Sequence, residues 1–228
     1  MKYNLSVQEM VYSTLRKNIL NLKLSPGTTM STQEMATKLK VSRTPVREAF
    51  LRLEREGMLT VLPQRETMVS KINLKRTKQE QFMRASLEMA VLDPFIKNKD
   101  FDCLRQQNEL IDKQMMAQME SKFEELIEHD DAFHRIFFVG AGQLLSWDTM
   151  ESMSAHYRRF RLLTLWDKDI AKNIIMQHIE LIRAVEAENL KKARSILQIH
   201  LHKVKIEEEQ LVSNYPTYFD LEEEKELL

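Results

Sequence analysis

Residues 41–57 read VSRTPVREAFLRLEREG, and the fold of the first third of the chain turns on them. Ser42 or Thr44 can cap a helix here, Pro45 falls in its first turn, where a missing N–H costs little, and Gly57 ends it. Between those limits Val46, Ala49, Phe50 and Leu53 recur at helical spacing and form one apolar face. Arg43, Thr44, Arg47 and Arg52 are left on the other face. Upstream, Ser31 followed by Glu34 has capping-box spacing and opens a short helix through Leu39. Two short helices separated by three or four residues have the spacing of a helix-turn-helix. Before them, Val7, Val11, Leu15, Ile19 and Leu22 mark a helix that stops at Ser25-Pro26-Gly27; after them, Leu59–Val61 and Met68–Ile72 read as short strands around Pro63-Gln64-Arg65-Glu66. Helix, helix and hairpin predict a winged helix-turn-helix over residues 1–73.

The charge distribution gives this unit a partner. The 228-residue chain carries 34 Lys+Arg and 34 Asp+Glu, yet residues 1–73 hold 12 basic and 6 acidic side chains, and the remainder 22 and 28. A basic front on an acidic body is the electrostatic footprint of a nucleic-acid module attached to something else. Arginine forks at Arg43 and Arg47 can read guanine edges in the major groove, and Thr44 can reach a base methyl or a phosphate. Arg52 is placed for backbone phosphate, and Arg65 at the hairpin tip for the minor groove or a phosphate. Because one recognition helix reads only a few base pairs, a two-fold homodimer on an inverted-repeat DNA site is expected.

Other functions are bounded by what the composition lacks. Cys103 is the only cysteine, so no intrachain disulfide and no Cys-based zinc cluster can form. There is no apolar run of about 18 residues and no signal-peptide core, which predicts a soluble cytoplasmic protein without a membrane partner. Four Gly and five Pro are few for a chain rich in strands and turns. The composition points to a mainly α protein.

Beyond a polar linker at 74–79, the 3.6-residue period dominates. Helices are predicted near 78–97, 101–119, 122–139, 143–165, 169–187 and 190–213, a six-helix all-α bundle within a second domain spanning 80–228. Three of the predicted apolar stripes contain titratable groups. Asp130 and His134 interrupt Phe123, Leu126, Ile127 and Phe137; His178 lies among Ile174, Ile175, Ile182 and Val185; His200 lies among Ala193, Ile196, Leu197 and Val204. Burying an unpaired carboxylate is expensive, and so is burying an imidazolium. One Asp and three neutral His meeting at a divalent ion would remove the cost together, with Zn, Ni or Mn suited to that donor set. Separate backbone partners for each His, and a simple Asp130–His134 hydrogen bond, are the alternative.

Residues 30–72, with VSRTPVREAFLRLEREG as the specific part, resemble the DNA-binding domain of the GntR family of bacterial transcription regulators. The resemblance implies operator contacts from Arg43 and Arg47, with support from Thr44 and the wing. Gln33 stands where relatives often carry an operator-contacting Arg, and Glu66 where they usually have a wing-tip Gly. The helical part resembles the effector domain of the FadR-like branch through MRASLEMA (83–90), EHDDAFHRIF (128–137) and HIELIRAVEAENLKKARSILQIHL (178–201). The metal-binding members' one Asp and three His correspond to Asp130, His134, His178 and His200. Arg84 matches an arginine directed at the effector, and His156 is expected to border the same cavity. A repressor released by a small organic acid bound at the metal is the favoured reading, and activation, or tighter DNA binding with ligand, fits the same residues. Two other functions compete with this reading: a regulator that senses the metal itself, and a metal-dependent enzyme, for which Glu88 and His156 form no convincing catalytic set.

Overall fold

The structure, a computed structural model, describes residues 6–61, 66–98, 100–202 and 204–221. The chain forms two compact units, one made of residues up to Leu74 together with the segment from Asn214, the other of Lys75–Ser213.

In the first unit α1 (Val7–Leu20) packs on α3 (Arg43–Arg55), burying Val11, Leu15 and Ile19 against Val46, Ala49, Phe50 and Leu53. Each of these side chains apart from Ala49 contributes about 1.5–3 kcal/mol by leaving water. The intervening α2 (Thr32–Leu39) starts where Ser31 Oγ accepts from the Glu34 amide at 3.1 Å. It ends at Lys40 in the left-handed conformation, φ 55°. Ser42 precedes α3 without a side-chain cap bond. The wing is a three-stranded antiparallel sheet in which β3 (Thr67–Val69) lies between β1 (Thr29–Met30) and β2 (Leu59–Val61). The strand expected over Met68–Ile72 divides into β3, whose pairing with the β2 side runs on as the Ser70 amide donates to the Met58 carbonyl, and β4 (Ile72–Asn73), which has a different partner. The partner of β4 is β5 (Phe219–Asp220), in parallel, so the C-terminal segment groups with the first unit, whereas the expected second domain runs through 80–228.

The second unit is all-α, with eight helices among the described residues instead of six: α4 (Leu74–Asn98), α5 (Phe101–Met119), α6 (Phe123–Gly140), α7 (Leu144–Ser152), α8 (Ala155–Leu165), α9 (Lys168–Glu186), α10 (Leu190–Leu201) and α11 (Val204–Asn214). Two expected helices are each broken by a side chain from α4. Glu80 accepts from the Tyr157 amide at 2.8 Å and so caps α8 after the break at Met153-Ser154. Gln81 donates to the Leu201 carbonyl at 2.5 Å where α10 ends. The expected linker 74–79 is helical, forming the first turns of α4. Leu74 and Thr77 are buried and no Gly or Pro interrupts the segment. Gly140 brings α6 against α4: a Cβ there would meet the Phe95 ring at 2.5 Å, and Asn98 Nδ2 donates to the Gly140 carbonyl at 2.8 Å. That close approach sets Arg84 and Glu88 of α4 beside Asp130 and His134 of α6.

Candidate functional site

Four titratable side chains from three helices of the second unit converge. Asp130 and His134 share a face of α6, while α9 supplies His178 and α10 supplies His200. One ligand atom from each lies within 4.8 Å of all the others. Asp130, His134 and His178 are buried and His200 half-buried.

Side chains outside the cluster orient each imidazole. Nδ1 of His134 meets Glu88 Oε2 at 2.6 Å, Nδ1 of His178 meets Gln114 Oε1 at 2.8 Å, and Nδ1 of His200 meets Gln177 Oε1 at 3.1 Å. Carboxylate and amide oxygens only accept, so each Nδ1 donates and each neutral ring presents a lone pair at Nε2. The Gln114 amide is oriented independently, since its Nε2 donates to the His129 carbonyl at 3.3 Å. The Nε2 atoms of His134 and His178 lie 3.1 and 3.4 Å from Nε2 of His200, and His178 Nε2 is 3.6 Å from Asp130 Oδ1. Lone pairs this close repel one another unless a proton or a cation lies among them. The donor set, with every Nδ1 held from outside, is one that could hold a divalent ion.

Electrostatics favour the protonation states that such an ion requires. Burial pushes the His178 pKa down to about 3, so its ring is neutral near pH 7. Burial also pushes the Glu88 carboxyl up, but its contacts with His134 and Arg84 overcome this and bring it to about 2. Asp130 is likewise raised by burial and then carried below its ordinary value, by Arg161 first and by Arg84.

Arginines surround the cluster. Arg84, on α4, donates from Nε to Glu88 Oε1 at 2.6 Å. Its buried Nη2 makes no hydrogen bond among the described residues and lies 3.9 Å from Asp130 Oδ2. On α8, Arg161 pairs with Asp130 and, at 2.7 Å, with Asp131, and Arg158 Nε meets Asp131 Oδ2 at 2.9 Å. A cavity opens beside the cluster, bounded by Asp130, His200, Tyr157, Phe160, Arg161 and Thr164. His156 is buried on α8 with Nδ1 3.4 Å from Arg159 Nη2, and its neighbour Tyr157 contributes to the cavity wall.

In the first unit Arg43, Thr44 and Arg47 are exposed along α3, and Gln33 is exposed on α2 with Nε2 3.4 Å from Thr37 Oγ1. Arg52 is engaged within the protein. Its guanidinium lies 3.4 Å from the centre of the Tyr12 ring, 3.0 Å from Glu9 and 3.4 Å from Glu56, bracing α3 against α1. A phosphate contact from Arg52 would have to compete with those three. Glu66 is exposed, and Arg65 lies outside the described residues.

Sequence reasoning missed Gln114, Gln177, Asp131 and Arg161. A signal existed for Gln114, because α5 buries the stripe Cys103, Gln107, Ile111, Gln114 and Ala117, in which two amides stand among apolar groups. The other three required the fold.

Comparison with known proteins places these two assemblies in a family context. Residues 7–69 match the family described as bacterial regulatory proteins, gntR family, and residues 81–203 match the FCD domain. The chain is 30% identical over 209 residues to an uncharacterized HTH-type transcriptional regulator in an unstable DNA locus of Streptomyces ambofaciens, covering 92% of this chain and 88% of that one. It is 27% identical over 198 residues, 87% of each chain, to the HTH-type transcriptional repressor RspR of Escherichia coli K12. The solved E. coli McbR/YncC superposes with a TM-score of 0.76 at 21% identity, over 92% of this chain and 99% of that one, a likeness of fold. No described helix is long and apolar enough to cross a membrane.

Proposed function

The chain belongs to the gntR family of bacterial regulatory proteins, with an FCD domain as its helical part, and from that premise we propose a repressor controlled by a small organic carboxylate bound beside a divalent metal. Membership makes it a DNA-binding transcriptional regulator and not an enzyme. That its relative RspR is a transcriptional repressor supports the sign of regulation.

The observation that carries the metal reading is the outward tethering of Nδ1 on all three histidines, which aims their Nε2 atoms at one another and at Asp130. Asp130, His134, His178 and His200 would hold Zn, Ni or Mn. A bound divalent ion supplies positive charge to which a carboxylate oxygen can coordinate. Around the cluster, Arg84, Arg158 and Arg161 balance Glu88, Asp130 and Asp131, so a divalent ion leaves this shell net positive and suited to an anion. The unbonded Nη2 of Arg84 is a buried donor whose desolvation cost an incoming carboxylate would offset. Sugar acids, hydroxy acids and dicarboxylates fit this chemistry.

Arg43, Thr44 and Arg47 would read the operator, with Gln33 beside them, in a cytoplasmic homodimer on an inverted repeat. If the acid binds better to the dimer geometry that misfits the operator, operator affinity falls by the reciprocal factor. The test selects DNA sites with the protein itself, then measures their affinity with Zn²⁺ alone and with Zn²⁺ plus a panel of metabolic acids. An acid that lowers affinity by about tenfold, well inside the usual coupling range, is expected. If Zn²⁺ alone switches DNA binding and no acid binds, the ion is the signal and the carboxylate reading fails.

A further inference from the structure

The helical unit is joined to the DNA-binding unit by two covalent connections. One is the passage from β4 into α4 at Asn73-Leu74; the other follows α11, where the chain leaves the helical unit at Asn214 and returns as Pro216–Tyr218 and β5. The second is built into the first unit. Phe219 is 1% exposed, Tyr218 Oη lies 3.4 Å from Ser25 Oγ, and β5 pairs in parallel with β4 in the register Ile72↔Phe219 and Asn73↔Asp220. That pairing falls on the last two residues before α4 begins. The family matches stop at 69, resume at 81 and end at 203, so neither strand falls within them.

The helices that lead into this segment line the candidate effector site. His200 is on α10 and Glu207 on α11, and both line the cavity beside the cluster. Within the helical unit these helices are also bonded to the first turns of α4, through Gln81 Nε2 to the Leu201 carbonyl at 2.5 Å and Lys78 Nζ to Glu208 at 2.9 Å. A change at the site that shifts α10 or α11 therefore pulls on a chain whose end is paired with the exit of the DNA-binding unit.

We propose that residues 214–221 form a strap that carries the state of the effector site to the hinge at Ile72–Leu74 by clamping β5 on β4. This rests on the metal reading of the Asp130–His200 cluster. The strap is a positioning element. Ordering α10 and α11 tightens the β4–β5 pair, and loosening them frees the hinge.

Hydrogen exchange on the full-length protein, with Zn²⁺ alone as the probe, tests this. Zn²⁺ should slow exchange in peptides of α6, α9 and α10 and also slow Ile72 and Asn73 by about tenfold, a shift in local opening. In Phe219→Ala the helical peptides should still respond and residues 72–73 should not. Should that variant fail to fold, a double variant Asn73→Cys and Asp220→Cys covers the case, because the two positions face each other in the pair. Oxidised, it should hold residues 72–73 slow with or without Zn²⁺; reduced, it should regain the response. Protection of the helical peptides without any change at 72–73 overturns the strap and leaves the metal reading intact. A response at 72–73 that survives in Phe219→Ala, or in the oxidised double variant, overturns it too. No protection anywhere overturns the metal reading and the strap with it.

Discussion

Replacing Glu88 by Gln tests the metal reading without touching a ligand. Glu88 accepts two short bonds, one per oxygen: from His134 Nδ1 at 2.6 Å and from Arg84 Nε at 2.6 Å. An amide has one oxygen and one NH2. If the oxygen stays with Arg84, the NH2 faces His134 Nδ1, which must then become the acceptor. The ring proton moves to Nε2, and that nitrogen can no longer bind an ion. If the amide flips, the NH2 opposes the Arg84 N–H and a buried donor is left unsatisfied, at a cost of about 1–3 kcal/mol. That penalty favours the first arrangement, which should weaken Zn²⁺ binding by about 10–100-fold, the usual effect of losing an orienting partner behind a ligating histidine. In free energy that is about 1.4–2.7 kcal/mol. Competition against a chelating dye at pH 7.5 measures it, with circular dichroism confirming that the helices remain. Folded Glu88→Gln protein that binds Zn²⁺ within about twofold of wild type would refute the tautomer argument.

The remaining predictions concern other parts of the molecule. Arg47→Ala should lower affinity for selected DNA by about 1–3 kcal/mol while affinity for random DNA changes little, measured by fluorescence anisotropy at fixed salt; equal losses on both would assign Arg47 to phosphate. Gly140→Ala should destabilise the helical unit by about 1–3 kcal/mol in urea unfolding, because the added Cβ presses on the Phe95 ring. Tyr12 has its pKa raised to about 12, by burial and then by its hydrogen bond to Glu56. The unfolded chain therefore gives up this proton first, and stability should fall as pH rises from about 10 towards 12. Tyr12→Phe should flatten that window; an unchanged slope would mean another group titrates there.

How much of this was legible in the sequence depends on the range of the interactions involved. The helix-turn-helix was readable because its determinants are local: Ser31 caps α2 three residues on, and the apolar face of α3 repeats every turn. The Asp130–His200 cluster was readable for a related reason. A titratable group inside an apolar stripe must face the interior, and three such helices in one bundle leave few places for those groups to go. The helix breaks before Ala155 and after Leu201 were not readable. Neither carries a Gly or Pro, and each is made by a side chain of α4, 77 and 120 residues away in sequence.

Two-residue strands lie below the reach of periodicity altogether. β1 and β5 are each too short to alternate, and β5 is defined by its partner 147 positions earlier, Ile72 for Phe219. What marks the C-terminal segment chemically is its composition. Tyr215, Tyr218 and Phe219 fall within five residues of a chain that is only 7% aromatic, directly after an acidic helix. Such a cluster has to bury itself or solubility suffers. Phe219 does so in the first unit, and the polar oxygen of Tyr218 reaches Ser25 there. The C-terminal segment thereby links the helices carrying His200 and Glu207 to the strand from which α4 departs. Coupling in this protein is accordingly a question about both connections, and a mutational survey confined to residues 70–80 would sample one of the two.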